Sequence, residues 1–98
     1  MAANTIEIVR FKLKPGVDLN NFIEENKKVE KNLIMKMPGI LSRETARNEQ
    51  GEVVVVLHWA RPEDAQNSMD KFVAAAESKD FTALIDMDTF SMTRFVKL

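Results

Sequence analysis

The segment Glu52–Ala60 constrains the fold of this chain more than any other, because four consecutive valines in it precede Leu-His-Trp-Ala. β-Branched side chains lose rotamer freedom in a helix and pack well on a pleated surface, so the run predicts a β-strand. Alternate residues of a strand lie on opposite faces. One face carries Val53, Val55, Leu57 and Trp59, and the other carries Val54, Val56, His58 and Ala60. A strand with one solvated face alternates apolar and polar residues, so we expect both faces of this strand to be covered.

Turn residues separate this strand from the other predicted elements. Pro15-Gly16 ends a strand, Pro38-Gly39 ends a helix, and Asn48–Gly51 predicts a tight turn between two strands. The predicted elements are a strand over Thr5–Leu13, a helix over Leu19–Met37, strands over Ile40–Asn48 and Glu52–Ala60, a helix from Pro62, a short helix with Phe81, Leu84 and Ile85, and a strand over Asp88–Leu98.

Apolar residues at helical spacing predict the buried face of each helix. The first stripe comprises Leu19, Phe22, Ile23, Val29, Leu33 and Met37, and the second comprises Ala65, Met69, Phe72, Val73 and Ala76. Asp18 is placed to cap the first helix, and Ser78 or Asp80 to cap the short helix, because their side-chain oxygens can accept a free backbone N–H.

The order strand, helix, strand, strand, helix, strand predicts the ferredoxin-like α+β fold (βαββαβ), an antiparallel sheet with both helices on one face. The other face is then bare, and its apolar patch of Ile6, Ile8, Val54 and Val56 is about as large as a monomer usually exposes. We therefore expect a homodimer through this face, with His58 in the interface. The competing interpretation is a monomer with an exposed apolar face.

Length and composition narrow the possible functions. Residues 1–98 are expected to form a single domain. The 14 basic and 15 acidic residues give a net charge of −1, which argues against a nucleic-acid partner. The sequence has no cysteine, which excludes disulfides and thiolate metal sites, and its three glycines are isolated and form no phosphate-binding loop. No apolar run suits a signal peptide or a membrane span, so we expect a cytoplasmic protein with no membrane partner.

Two stretches carry a resemblance to a known family: the strand end and helix VVVVLHWARPEDAQNSMDKF, and the later SKDFTALIDM before the last strand. The sequence resembles the antibiotic-biosynthesis-monooxygenase-like (ABM) branch of the dimeric α/β-barrel superfamily, whose pattern Trp59, Glu63, Ala65 and Ser78-Lys79-Asp80-Phe81 match. The resemblance implies a homodimer in which the two sheets form a dimeric α/β barrel. It also implies an activity found in that family, the oxidation of polycyclic phenols or quinols without metal or flavin, although many members have no assigned activity.

Other members of that family degrade haem. They use an Asn on the first strand, the Trp that closes the third strand, and a His on the second helix. Here the first-strand position is Val9, Trp59 is present, and no His follows His58. The resemblance therefore gives no support for haem, and we expect neither a cofactor nor a metal ion.

Trp59 and His58 are the candidate catalytic residues. The substrate-binding candidates, on the face between sheet and helices, are Val9, Phe11, Trp59, Phe72 and Phe81. Trp59 can instead be a core residue whose indole N–H finds a local acceptor. His58 is the one side chain whose ordinary pKa lies near neutrality, but alternation directs it away from Trp59, where it can be an ordinary interface residue.

The charged strand residues allow two interpretations. Arg10, Arg43, Arg47 and Arg94 could each hold a carboxylate or phenolate, but strand arginines more often form ion pairs, for example with Glu44. Asp86 and Asp88 could share a proton, but closely spaced aspartates more often cap a loop. The six methionines could line an adaptable pocket or fill gaps in the core.

These observations leave two hypotheses for function. The first is a cofactor-independent monooxygenase acting on a small aromatic substrate, with Trp59 as a wall and Phe11 and Phe72 against the rings. It lacks an evident general base in the pocket. The second is a non-catalytic homodimer of the same fold that binds a small apolar ligand or acts as an accessory protein.

Overall fold

The computed structural model describes residues 4–98, which form four strands, two longer helices and several short helical turns. The strands are β1 (Thr5–Leu13), β2 (Ile40–Arg47), β3 (Glu52–Trp59) and β4 (Ile85–Val96), and the helices are α1 (Leu19–Asn32), α2 (Pro62–Ala74) and the single turn α3 (Lys79–Thr82). Short 3-10 turns at Ile34–Lys36 and Ala76–Ser78 follow α1 and α2. The expectation about a signal peptide falls partly on residues 1–3, which lie outside the described residues.

The strands pair antiparallel in the order β2-β3-β1-β4, which confirms the predicted ferredoxin-like α+β fold. Residues paired across neighbouring strands point to the same face. One cross-sheet row on the helix-covered face therefore consists of Arg43, Leu57, Glu7 and Arg94, in that order from β2 to β4. This row brings three charged side chains under the helices.

The two faces of β3 differ as alternation predicts. Val53, Val55, Leu57 and Trp59 are buried under the helices, whereas Val54, Val56 and His58 are half-buried on the other face. That second face, here called the open face, also carries Ile6 and Ile8, both half-buried. The helices cover the other side of the sheet, so within residues 4–98 no helix lies over the open face.

The first helix is shorter than predicted. Asp18 caps it as expected, accepting a hydrogen bond from Asn20 N at 3.2 Å, but α1 ends at Asn32 and not at Met37. Leu33 leaves the helical region with φ −127° and ψ −63°. Successive residues of a helix are about 100° apart, so a continued helix would turn Ile34 away from the core. The break lets both Ile34 and Met37 be buried.

The second helix buries a narrower stripe than predicted. Ala65 and Ser68 are buried and Phe72 packs on the core, but Val73 is 74% exposed, so its assignment to the core stripe is wrong. Val73 falls at the edge of the stripe, beside the mouth of a cavity. Ala76 lies beyond the end of α2, in the 3-10 turn.

The short helix is also displaced from its prediction. It covers Lys79–Thr82, so Leu84 and Ile85 lie outside it, and Ile85 begins β4 opposite Leu13. Ser78 precedes α3 without capping it, because its Oγ lies 2.7 Å from the carbonyl oxygen of Phe72 and 2.9 Å from that of Ala75. These contacts satisfy carbonyl groups at the end of α2.

A bulge in β4 explains why this strand begins earlier than predicted. Arg10 pairs with Ser91 but Lys12 pairs with Asp86, so β4 has extra residues between these pairs. Thr89 stabilises the bulge: its Oγ1 accepts from Lys12 N at 2.8 Å and donates to the carbonyl of Asp86 at 2.6 Å. The odd number of extra residues reverses the alternation, so Ile85 and Phe90 both face the helices.

Within residues 4–98, no helix is both long enough and apolar enough to cross a membrane.

Candidate functional site

A cavity of about 800 Å³ lies between the helix-covered face of the sheet and the helices α2 and α3. Most of its wall is apolar, including Val9, Phe11, Leu57, Trp59, Phe72 and Phe81. Its volume is in the range of small-molecule binding sites. All five predicted substrate-binding residues therefore line one cavity.

Four phenylalanine rings form a continuous cluster at one side of the cavity. Phe81 contacts the other three, with ring centroids 6.2 Å from Phe11, 5.5 Å from Phe22 and 6.2 Å from Phe72. The contacts with Phe11 and Phe72 are edge-to-face, which suits the aromatic quadrupole. Three of these rings, Phe11, Phe72 and Phe81, also line the cavity and form an aromatic part of its wall.

Glu7 is the polar group that the sequence analysis did not recognise. Its side chain is 5% exposed, and it lines the cavity beside Val9 and Phe11. Oε1 accepts a hydrogen bond from Trp59 Nε1 at 3.3 Å, and Oε2 accepts one from Arg94 Nε at 2.7 Å. The structure thus supplies a carboxylate, a potential proton acceptor, in a cavity of mainly hydrocarbon side chains.

Trp59 is fully buried and lies next to Glu7 in the cavity wall. Its indole N–H has found a local acceptor, as the core interpretation of this residue requires. The same bond also fixes one oxygen of the carboxylate. The structure therefore assigns Trp59 a position in the site, and its catalytic role stays a prediction.

Arg94 holds the other oxygen of Glu7 and is itself held by α2. Its NH1 donates to Gln66 Oε1 at 2.9 Å, and its NH2 donates to the carbonyl oxygen of Ala65 at 3.4 Å. Arg94 thus ties β1, β4 and α2 together at one edge of the cavity. The expectation of an ion pair holds for this residue, with Glu7 as the partner.

Arg43 is a buried cation in the cavity wall. Its side chain is 3% exposed, and it donates to Glu30 Oε1 at 3.0 Å and to Asn26 Oδ1 at 2.8 Å. Desolvation lowers the pKa of Arg43, and its hydrogen bond and charge interaction with Glu30 offset this lowering in part. The ion pair joins β2 to α1, and its partner is Glu30 where the sequence suggested Glu44.

The two aspartates near the start of β4 lie in the bulge at the cavity mouth. Asp86 Oδ1 accepts a hydrogen bond from Asp88 N at 3.1 Å, the pattern of a loop-capping aspartate. Asp88 is exposed, so the pair stands in a largely solvated position. The geometry favours the capping interpretation over a shared proton.

His58 is not brought to the cavity. It lies on the open face, opposite Ile6, as alternation predicts. Its catalytic role therefore has no partner among the cavity residues and stays a prediction. Within residues 4–98, no group of three or more histidine, aspartate or glutamate side chains is arranged to hold a metal ion.

The signal that could have identified Glu7 is the alternation that placed Val9 and Phe11. Counting back by two along the first strand from Val9 puts Glu7 on the same buried face. Two isoleucines flank it, so the stretch looks like an apolar strand with one glutamate. Its partner Arg94 is far away in sequence, and the pairing depends on the strand order.

Solved structures of other proteins share this fold. The chain superimposes on a provisionally named antibiotic biosynthesis monooxygenase from Bordetella bronchiseptica with a TM-score of 0.81 and 13% identity, over 98% of each chain. For the cofactor-independent oxygenase SnoaB of Streptomyces nogalater the TM-score is 0.75 and the identity 14%, over 99% of this chain and 95% of that chain. A third structure, also provisionally named an antibiotic biosynthesis monooxygenase, is from Chloroflexus aurantiacus. Its TM-score is 0.70 and its identity 17%, over 98% of this chain and 94% of that chain.

The chain therefore shares the fold of these proteins, two of which carry the name antibiotic biosynthesis monooxygenase, so the resemblance to ABM-like proteins drawn from the sequence is confirmed at the level of the fold. No protein-family model matches the sequence, and no curated protein matches it. These superpositions establish the shared fold. Because the identities are low, any chemistry has to be argued from the residues of the cavity itself.

Proposed function

We propose that the protein is a cofactor-independent monooxygenase that oxidises a small aromatic phenol or quinol in the cavity between sheet and helices. The observation that carries the proposal is Glu7, a buried carboxylate that is hydrogen-bonded to Trp59 and Arg94 in a mainly apolar cavity. Because SnoaB, which has the same fold, is a cofactor-independent oxygenase, this scaffold is compatible with such chemistry. The proposal includes residues 1–98 acting as one such domain, located in the cytoplasm.

In the proposed reaction Glu7 removes a proton from the substrate and leaves an electron-rich aromatic anion. The anion transfers one electron to O₂, and the two radicals combine to form a carbon–oxygen bond. Glu7 returns its proton to the resulting peroxide. Loss of water then leaves a carbonyl on the same carbon, so one oxygen atom enters the product and the other leaves as water. The substrate supplies all the electrons that reduce the oxygen.

The surrounding residues orient the carboxylate and the substrate. Trp59 and Arg94 each bind one oxygen of Glu7, so the carboxylate cannot rotate freely. Phe11, Phe72 and Phe81 present ring edges and faces that suit a flat aromatic molecule. Apolar walls also exclude water, which strengthens the charge interactions at Glu7.

The proposal includes a homodimer through the open face. Ile6, Ile8, Val54 and Val56 leave apolar area half-exposed there, and His58 borders it. Phe95 extends the patch onto β4, opposite Ile6, and is 50% exposed. A second copy offers the same apolar surface, so burying both against each other removes the patch from water.

The first test is oxygen uptake with anthrone as the substrate, followed by mass spectrometry of the product made under ¹⁸O₂. We expect uptake by the wild type, one labelled oxygen in the quinone, and a loss of about 100-fold or more in Glu7→Gln, because glutamine cannot accept the proton. Glu49→Gln, a change of the same kind in an exposed turn, is the control and should retain full activity.

The alternative is a protein of this fold that binds an aromatic ligand without oxidising it. Titration of Trp59 fluorescence with anthrones, flavonoid-like phenols, fatty acids and haem distinguishes the two, because Trp59 is the single tryptophan and lines the cavity. Saturable quenching without oxygen uptake, unchanged in Glu7→Gln, would contradict the enzyme and support the binding protein.

A further inference from the structure

We infer that Arg43 binds an anionic group of the substrate, a carboxylate, at the opposite end of the cavity floor from Glu7. The inference rests on the proposed function and specifies its substrate class: a fused-ring aromatic with a hydroxyl group at one end and a carboxylate at the other. It assigns to Arg43 a ligand-binding role in addition to its ion pair with α1.

The positions of the two groups follow from the register of the sheet. Arg43 lies opposite Leu57, and Leu57 lies opposite Glu7, all three on the helix-covered face. Neighbouring strands are about 4.8 Å apart, so Arg43 and Glu7 stand roughly 10 Å apart with an apolar side chain between them. A flat apolar ring system can lie over Leu57 and reach a polar group at each end.

The guanidinium of Arg43 has hydrogen-bonding capacity left for a ligand. An arginine carries five N–H donors. Within residues 4–98, Arg43 makes two side-chain hydrogen bonds, to Glu30 and Asn26, so three donors have no protein acceptor there. A buried arginine with free donors at a cavity wall is suited to a planar carboxylate.

The charge of Arg43 is also incompletely compensated. The Arg43 side chain is 3% exposed, whereas that of its partner Glu30 is 38% exposed. Water therefore solvates the Glu30 carboxylate and weakens its attraction for Arg43. Arg94 does not line the cavity, and it is already bound to Glu7 and to α2. Lys14 and Lys79 also line the cavity, but both are exposed at its mouth. Arg43 is therefore the cation placed to gain most from an anionic ligand.

The test compares the binding of naphthol with that of a hydroxynaphthoic acid that carries its carboxylate on the far ring. Calorimetry under nitrogen gives both dissociation constants without turnover. We expect the acid to bind the wild type about tenfold more tightly or better, since a charge-assisted hydrogen bond replaces a contact with water. Arg43→Gln should reduce this preference to less than about twofold.

Two further variants separate ligand binding from a structural role. Glu30→Gln removes the competing carboxylate, so the preference for the acid should increase in that variant. Arg47→Gln, at an exposed position on the same strand, removes an equal charge and should leave the preference unchanged. Circular dichroism of each variant establishes that it is folded.

Each outcome decides the inference. An unchanged preference in a folded Arg43→Gln, or no preference in the wild type, overturns it. Oxygen uptake with anthrone, measured on the same preparations, tests the proposed function separately. Uptake without a preference for the carboxylate would support the proposed enzyme and exclude the carboxylate subsite at Arg43. A preference that depends on Arg43 without any uptake keeps the subsite in a protein that only binds its ligand.

Discussion

Glu7, which lines the cavity, forms an ion pair with Arg94, which contacts α2. The Glu7 side chain is 5% exposed and that of Arg94 is 26% exposed, so the carboxylate is the more strongly desolvated partner. Removing one partner of such a pair costs more than the pair contributes, because the remaining charge stays buried without compensation. Single and double substitutions here should therefore differ in a characteristic way.

We expect Arg94→Met to destabilise the protein by about 2–4 kcal/mol, less than for a fully buried pair because Arg94 is partly exposed. The double variant Glu7→Met/Arg94→Met should recover much of that loss, since no unpaired charge remains. Urea denaturation followed by circular dichroism measures both. A double variant whose loss of stability equals or exceeds the sum of the two single losses would show that Glu7 and Arg94 are not energetically coupled, and would contradict this account.

Trp59→Phe tests the second partner of Glu7. Phenylalanine fills part of the space but donates no hydrogen bond, so we expect a loss of about 1–3 kcal/mol in the free energy of unfolding. We also expect slower oxygen uptake, because one carboxylate oxygen is no longer held. Turnover equal to that of the wild type would rule out a role for Trp59 in the reaction.

For single residues, the sequence predicted which face of the sheet a side chain lies on better than it predicted which residue that side chain contacts. Alternation placed Trp59 and Phe11 on the buried face and His58 on the open face, and the structure agrees. It could not pair Glu7 with Arg94, because that contact joins residues 87 positions apart and depends on which strands are neighbours. A buried charge is recognisable from sequence when its partner is local, and this partner is not.

At the scale of elements, the connection from α1 to β2 packs against the start of α2. Gly39 adopts φ +82°, and its carbonyl accepts from Ala60 N at 2.8 Å. Asp64, in the first turn of α2, packs against Gly39 so closely that a Cβ there would overlap its carboxylate. Arg61 holds that carboxylate, with its NH2 2.9 Å from Oδ1.

Gly39→Ala should therefore cost more stability than Gly16→Ala. Both glycines have φ +82°, so both substitutions bring the strain of a left-handed alanine, about 1 kcal/mol. Nothing lies within 4 Å of a Cβ at Gly16, whereas Gly39 meets Asp64. Thermal denaturation of the two variants measures the difference. Equal melting temperatures would contradict the packing described here.

Asp64 should also contribute to stability in a pH-dependent way. The hydrogen bond from Arg61 lowers the pKa of Asp64 below its ordinary value of 3.8. The stabilisation is therefore complete above that value and is lost as the pH falls through the lower, folded-state pKa. We expect Asp64→Asn to make stability depend less on pH in the acid range below about pH 4. Urea midpoints across that range provide the measurement.

Element boundaries were predictable where local chemistry sets them. The Asp18 cap, the Pro62 start of α2 and the Asn48–Gly51 turn are encoded by residues next to each other, and all lie where expected. The break at Leu33 and the bulge in β4 arise from the burial of Ile34 and from the pairing with β1. The spacing of apolar residues along one segment does not reveal the helix break or the bulge, because both depend on contacts with other segments.

For the whole molecule, the open face is the proposed dimer interface. We expect a dimer by multi-angle light scattering at micromolar concentration. Val56→Lys, in the middle of β3 on that face, should give a monomer, because each protomer would have to bury a lysine in the proposed interface at the cost of desolvation. Lys27→Glu, on the exposed surface of α1, is the control and should remain dimeric. A monomeric wild type would remove the barrel from the proposal.

The bulge in β4 also sets a rule for changes in chain length. Phe90, Met92 and Arg94 face the helices because an odd number of extra residues precedes them. Deleting one residue between Asp86 and Phe90 would move all three onto the opposite face and take Arg94 away from Glu7. Deleting or inserting two would preserve their orientation. Insertions and deletions that are tolerated at this point should therefore add or remove an even number of residues, because side chains alternate between the two faces of a strand.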